Sequence, residues 1–137
     1  MARNIGAGIS HADIVHEDSQ YPFYVAGSLT RADEGKAVAL DATASYRVKL
    51  AGDNDPVLGK LAIYEDRVNE GIKVGTVSTE GGFNLPKGAN TVINVGEYVV
   101  GAGSGLIKKA DVANNPTHKK FLVVDIPATT AVTVISV

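Results

Sequence analysis

The sequence predicts an all-β fold, a small β-barrel or β-sandwich of about eight to ten strands that follows an extended N-terminal arm. From Tyr24 onward, apolar and polar residues alternate with a period of two, and turn residues interrupt the alternation about every eight to twelve residues. The composition agrees, because 15 glycines accompany many valines, alanines and threonines. No long stretch holds helical spacing between capping residues.

The length of 137 residues fits one domain that buries its own core. We divide the chain into an N-terminal arm, residues 1–20, and a single β domain, residues 21–137. A proline between two aromatic residues, in YPF at residues 21–23, marks the junction, because proline disfavours a helix at the residue before it.

The first strands of the domain show the alternation most plainly. In KAVALD, Val38 and Leu40 share one face. In YRVKL, the side chains of Tyr46, Val48 and Leu50 lie on one face and the two basic residues lie on the other. This pattern is typical of a half-buried antiparallel strand.

The remaining strands follow at turns rich in Gly, Asp, Asn and Pro. In VLGKLAIYE, we expect Leu61 and Ile63 to point inward and Gly59 to mark a β-bulge. The later strands are predicted in IKVGTVS, TVINVGEYVV, LIKKA, FLVVDIP and ATTAVTVISV, with a plain hairpin turn at GAGSG. The best candidate for helix is a turn or two at residues 110–115.

The first twenty residues, MARNIGAGISHADIVHEDSQ, show neither the period of two that is typical of strands nor the period of 3.6 that is typical of helices. Glycines and three acidic residues leave them little apolar surface with which to pack on their own domain. A frayed terminus and an extended segment that orders on a partner both agree with this pattern. In the second interpretation the partner-binding side chains are Ile5, Ile9, Ile14 and Val15.

The last strand is apolar on both faces. Val132 and Val134 lie on one side and Ile135 and Val137 on the other. In a chain of this size, a strand that is apolar on both sides predicts a subunit interface. We therefore expect a homo-oligomer with these four residues at the self-association surface.

The composition excludes several classes of site. The chain has no cysteine, which excludes disulfides, thiolate metal sites and cysteine nucleophiles. A net charge of -2 gives no electrostatic footprint for nucleic acid or for an anionic membrane. No apolar run approaches the ~20 residues of a membrane-spanning helix, and the N-terminus carries no targeting pattern.

No motif predicts catalysis, a metal or a cofactor. The glycines of GAGSGL are not followed by the residues that a phosphate loop needs, and there is no G-x-S-x-G elbow. His11 and His16 are spaced so that on a strand they point to opposite faces. Five tyrosines without tryptophan and without a basic face predict no stacking platform for sugars or single strands.

The order of these elements resembles the small head-decoration, or capsid cement, proteins of tailed bacteriophages. The similarity runs over residues 25–137 and rests on KAVALD, SYRVKLAGDNDPVLGKL, IKVGTV with its EGG turn, INVGEYVV and GAGSGLIKKA. In that family a Gly-Asp turn precedes a V-x-G-x-L strand, here Val57, Gly59 and Leu61. A Gly-Glu step before an apolar pair then leads to a glycine turn, here residues 96–99 and 105–107.

The resemblance implies a β-tulip-like structural protein of the virion. It would be made in the host cytoplasm and would bind the outer surface of the assembled shell, with the major capsid protein as its partner and a trimer as the favoured state. Isoleucines of the arm would then enter pockets on a shell subunit. This sequence departs from simpler members by its arm and by FLVVDIP before the last strand.

Two alternatives come from other classes. A trimeric β-fold nucleotide hydrolase has a similar length, but its glycine-rich C-terminal arm and Asp-Tyr substrate motifs are missing from this sequence. A small-ligand-binding β-barrel needs a lined cavity, whereas the many Ala, Val and Gly residues predict a filled interior.

Overall fold

A computed structural model describes residues 16–67 and 71–137 of the chain. The regular secondary structure of the described part is almost entirely β-strand, which confirms the predicted all-β class. In chain order the strands are β1 His16–Val25, β2 Ala37–Leu40, β3 Arg47–Leu50, β4 Gly59–Arg67, β5 Ile72–Pro86, β6 Val99–Gly103, β7 Leu106–Lys109, β8 Phe121–Ala128 and β9 Ala131–Ser136. A short 3₁₀ helix at Arg31–Asp33 precedes β2.

Strands β1 to β5 close into a ring. β1 pairs in parallel with β3, and the antiparallel pairs β3–β2, β2–β4, β4–β5 and β5–β1 complete the circuit. The 15-residue strand β5 extends beyond the end of its neighbour β4, and the second half of β5 pairs with β9. β9 in turn pairs with β8. β6 and β7 form a separate two-stranded hairpin.

Two hydrophobic clusters lie on opposite faces of β2. Val38 belongs to the ring interior, whereas Ala37 and Ala39 belong to a second cluster shared with β8, β9 and the β6–β7 hairpin. The ring interior is formed by Val25, Leu29, Val38, Val48, Leu61, Tyr64 and Val77. The protein therefore combines a partial barrel with a sandwich-like second layer, and β2 is the strand common to both. Leu40, expected to share the buried face of Val38, lies at the strand end and is exposed.

The prediction for β4 was half wrong. Leu61 is fully buried, but Ile63 is 49% exposed. The register of β4 against β5 shifts between these residues, and such a bulge reverses which side chains face the core, so Tyr64 points inward instead. Gly59 serves another purpose, because a Cβ there would overlap the carbonyl oxygen of Ser78.

The GAGSG segment is the predicted hairpin turn. It joins β6 to β7 through Ser104 and Gly105, whose φ angles of 54° and 77° are those of a type I′ turn. Residues 110–115 contain a single turn, closed by a hydrogen bond of 2.8 Å from the N–H of Asn115 to the carbonyl oxygen of Asp111.

Part of the segment predicted as an arm belongs to β1. His16 pairs with Gly82, Ser19 with Glu80 and Gln20 with Ser78. Two register shifts interrupt this pairing, which explains why the sequence shows no period of two there. The predicted arm residues Ile5, Ile9, Ile14 and Val15 lie outside the described residues. Within the described ranges, no helix has the length and apolar character needed to cross a membrane.

Candidate interaction surfaces

The predicted self-association strand is divided between core and surface. Val132 and Val134 are fully buried against other strands of the same chain, so the prediction that they contact another subunit needs correction. The physical reason is that this face of β9 belongs to a core cluster that includes residues of β2, β8 and the β6–β7 hairpin of the same protomer. Ile135 and Val137 are 37% and 65% exposed and can still contact a partner.

Ile135 lies on an outer surface that we call the terminal face, formed by Leu122, Ile135 and Val137. Ile135 pairs with Leu122 of β8 and with Gly82 of β5, so the side chains of Leu122 and Ile135 point to the same side. A Cβ at Gly82 would be 3.3 Å from Cγ2 of Ile135, so the isoleucine lies directly over the glycine.

The terminal face lies beside the start of β1. Gly82 pairs with Ile135 on one side and with His16 on the other. The chain that precedes His16 is therefore attached to the domain one strand away from Ile135. The structure thus places His16, which belongs to the segment predicted as the arm, one strand away from the exposed half of the predicted self-association strand.

A second surface lies on the outside of the ring, where Tyr24 and Tyr46 are 50% and 74% exposed. Both line a depression of about 350 Å³, which we call the tyrosine groove. Its lining is formed by Pro22, Phe23, Tyr24, Tyr46, Arg67, Ile72 and Val74. The sequence predicts no stacking platform for the tyrosines, and the structure places two of them, Tyr24 and Tyr46, at the same depression.

The alternation of apolar and polar residues in the sequence does not predict this groove. It placed Tyr46 on the buried face with Val48, but Tyr46 has a φ angle of 55°, in the left-handed region. This backbone conformation turns the ring away from the core. Pairing of β1 with β3 then places it beside Tyr24, which is distant in sequence.

Basic groups lie near the tyrosine groove. The Nε atom of Arg67 is 3.1 Å from Oε2 of Glu65, and the Nζ atom of Lys73 donates a hydrogen bond of 3.2 Å to the carbonyl oxygen of Gly27. Nε of Arg47 is buried and has no hydrogen-bond partner among the residues that the structure describes. Arg47 and Lys73 line an adjacent depression that shares Tyr24 with the groove.

A third depression, of about 500 Å³, lies beside the start of β6 and the end of β7 and includes Glu97 and Lys109. Glu97 accepts hydrogen bonds from Nζ of Lys109 at 2.8 Å and from the N–H of Asn94 at 2.7 Å. These contacts lower the pKa of the Glu97 carboxyl and raise the pKa of Lys109. The ion pair of Glu97 with Lys109 fixes the loop before β6 to the β6–β7 hairpin. We therefore assign both groups a structural role.

Lys120 has a similar structural role at the start of β8. Its Nζ atom donates a hydrogen bond of 2.8 Å to the carbonyl oxygen of Leu58 and lies 5.2 Å from the ring centre of Phe121. Burial lowers the pKa of this amine. In the part of the chain that the structure describes, no group of three or more His, Asp or Glu side chains is arranged to hold a metal ion.

Comparison with known proteins adds no assignment. No protein-family model matches the chain, and no curated protein matches it.

Proposed function

We propose that the protein is a capsid decoration protein, which binds the outside of an assembled phage shell and stabilises it. The observation that carries the proposal is the position of Ile135, exposed on the terminal face and separated from the start of β1 only by Gly82. An apolar face and a chain segment attached beside it can contact the same region of a shell subunit. The order of sequence elements that resembles the decoration proteins supports the same function.

The two filled cores suit this function. Val38, Val48, Leu61 and Val77 occupy the ring interior and are fully buried. Such packing gives a rigid body, which can connect neighbouring shell subunits without losing conformational entropy within its own fold. It also favours a structural protein over a ligand-binding barrel, because side chains fill the space that a ligand would need.

Many copies would act together on one shell. The major capsid protein is the proposed partner, the outer surface of the virion is the proposed location, and a trimer is the favoured assembly. In a repeated arrangement, modest affinity at each site still gives strong retention, because dissociation of one contact leaves the others in place. Binding to the assembled shell stabilises it by mass action.

Co-sedimentation tests this proposal. Empty, expanded heads of the phage that encodes the chain are incubated with the purified protein and pelleted, with a nucleotide panel and a lipid panel as parallel binding tests. We expect retention on heads and no binding to either panel. Absence of the protein from the head pellet would contradict the proposal.

A pair of isoleucine variants identifies the surface. Ile135→Asp places a carboxylate on the terminal face, whereas Ile63→Asp places one at a site of similar exposure on β4 of the ring. We expect Ile135→Asp to lower the retained fraction at least tenfold and Ile63→Asp to leave it unchanged. Equal retention of the two variants would exclude the terminal face as the binding surface.

A further inference from the structure

We propose that the tyrosine groove is a carbohydrate-binding site that accepts a segment of a neutral, hexose-containing polysaccharide. The rings of Tyr24 and Tyr46 would stack against the apolar faces of the sugar rings. This inference is independent of the proposed function, because it concerns other residues on another face of the domain.

The backbone at Tyr46 is the first step of the argument. A bulky residue with a φ of 55° is strained, and such strain persists only where the surrounding structure holds it. Here it is held by a hydrogen bond of 2.7 Å from the N–H of Tyr24 to the carbonyl oxygen of Tyr46. The result is a ring that contributes little to the core and is 74% exposed beside a second tyrosine. Backbone strain that presents an aromatic ring to solvent is typical of a binding site.

The shape of the groove is the second step. A volume of about 350 Å³ falls at the lower end of the range for ligand sites, and the depression is open to solvent along the outside of the ring. Such a groove suits part of a long chain that enters and leaves it. Ile72, Val74 and Pro22 complete an apolar floor beside the tyrosine rings.

The polar groups at the rim indicate the ligand class. The tyrosine hydroxyls can donate or accept hydrogen bonds, and Arg67, which lines the groove, is paired with the carboxylate of Glu65. Among the described residues that line the groove, Arg67 is the charged one, and its ion pair with Glu65 at 3.1 Å offsets that charge, whereas Arg47 and Lys73 lie in the adjacent depression. A neutral ligand with many hydroxyl groups and an apolar ring face matches this combination better than an anion or a purely apolar ligand does.

The position of the groove leaves it accessible. Tyr24 lies near the end of β1, whereas His16 at its start adjoins the terminal face. Along an extended strand, the spacing of these residues corresponds to roughly 27 Å. A protein bound through its terminal face would therefore still expose the tyrosine groove.

Affinity electrophoresis provides the test. Native gels are cast with soluble dextran, mannan or galactan, or with the acidic polysaccharides alginate and hyaluronan, and the migration of the full chain is compared with that in an empty gel. We expect at least one neutral polysaccharide to retard the protein, with a dissociation constant in the millimolar range. Failure of all three neutral polysaccharides would overturn the proposal, as would retardation by the acidic ones alone.

Four variants assign the effect to the groove. Tyr46→Gly removes one ring and also relieves the strained φ, so it should fold, and Tyr24→Ser removes the other ring. Both should lose at least three-quarters of the retardation, whereas Tyr46→Phe, which keeps the ring, should retain most of it. Tyr21→Ser is the matched control, because Tyr21 is 53% exposed on the same strand but does not line the groove.

Retardation that persists in both Tyr46→Gly and Tyr24→Ser would overturn the proposal. Head co-sedimentation of the same variants separates this inference from the proposed function. We expect Tyr46→Gly to remain bound to heads. If Tyr46→Gly loses head binding while no polysaccharide retards the wild-type protein, the groove is a protein-docking surface and the carbohydrate proposal is wrong.

Discussion

The backbone N–H of Tyr24 donates a hydrogen bond of 2.7 Å to the carbonyl oxygen of Tyr46, where β1 begins to pair with β3. Because N–H groups alternate in direction along a strand, the backbone nitrogen of Pro22 faces the same side as that of Tyr24. β3 does not extend to Pro22, so a proline occupies a position where an N–H would have no partner in β3. Proline there also protects an open strand edge against unwanted pairing.

Replacing Tyr46 with glycine should leave the fold intact and raise its stability. Glycine adopts a φ of 55° without steric cost, and removal of this strain is worth about 1 kcal/mol. We expect the Tm of Tyr46→Gly to equal or exceed that of the wild type. Asn54→Gly is the comparison, because asparagine already tolerates its φ of 65° and should gain less. A clear fall in the Tm of Tyr46→Gly would show that the ring supports the core.

A methyl group at Gly59 should destabilise the ring. The Cβ of Gly59→Ala would overlap the carbonyl oxygen of Ser78, so β4 and β5 must separate. We expect a loss of about 3 kcal/mol in the free energy of unfolding, measured by urea denaturation. Gly27→Ala is the matched control, because no atom of the described residues lies within 4 Å of its added Cβ. Equal stability of the two variants would contradict the close approach of the two strands.

The sequence predicted the fold class because period-two alternation is a local property. Val38, Val48 and Leu61 are buried as their patterns indicate. Ile63 could not be placed correctly, because the register shift that turns it outward depends on how β4 pairs with β5. Tyr46 was misplaced for a comparable reason, since alternation assumes an extended backbone at every residue.

The candidate surfaces were harder to predict from the sequence than the fold class, because they depend on which strands pair in the folded protein. The apolar character of the last strand was correctly recognised, but its interpretation as an interface could not distinguish Val134 from Ile135. Val134 is covered within the same chain, and Ile135 is exposed. The tyrosine groove had no sequence signal, because Tyr24 and Tyr46 line the same depression only when β1 pairs with β3.

Acid should destabilise the protein partly through Asp33, which precedes β2. Burial alone would raise the pKa of this carboxyl, but hydrogen bonds from the N–H of Thr30 and from Lys36, at 2.9 and 3.0 Å, lower it overall. A pKa that is lower in the folded state contributes stability above the unfolded value of 3.8, and this contribution is lost as the pH falls through the folded pKa.

Thermal melts in buffers from about pH 6 down to about pH 2 measure this contribution. We expect the Tm of the wild type to fall in the acid range and the Tm of Asp33→Asn to fall less steeply. Lys36→Gln should reduce the slope in part, because one of the hydrogen bonds that lower the pKa is lost. Parallel curves for the wild type and Asp33→Asn would show that Asp33 makes no contribution.

The apolar pattern of the last strand also predicts self-association through the terminal face, as an alternative to contact of that face with the shell, and a charge there should weaken this self-association. Ile135→Asp would place a carboxylate in the proposed interface and weaken association by about 2 kcal/mol, measured by sedimentation velocity. Val132→Asp should instead unfold the protein, because Val132 is fully buried in the core. Circular dichroism must show that Ile135→Asp remains a β protein. An unchanged sedimentation coefficient for a folded Ile135→Asp would contradict the proposed interface.

Removal of residues 2–15 should separate shell binding from folding. The strand pairs from His16 to Tyr24 with β5 would all remain, so we expect the Tm to stay almost unchanged. Retention on purified heads should fall sharply, because Ile5, Ile9, Ile14 and Val15 are the proposed contacts with the shell.

Removal of residues 2–20 is the matched comparison and should lower the Tm, since it deletes the pairs of His16 with Gly82 and of Ser19 with Glu80. Full retention of the shorter deletion on heads would exclude a role for the segment in shell binding, and a large loss of Tm would show that it belongs to the folded domain.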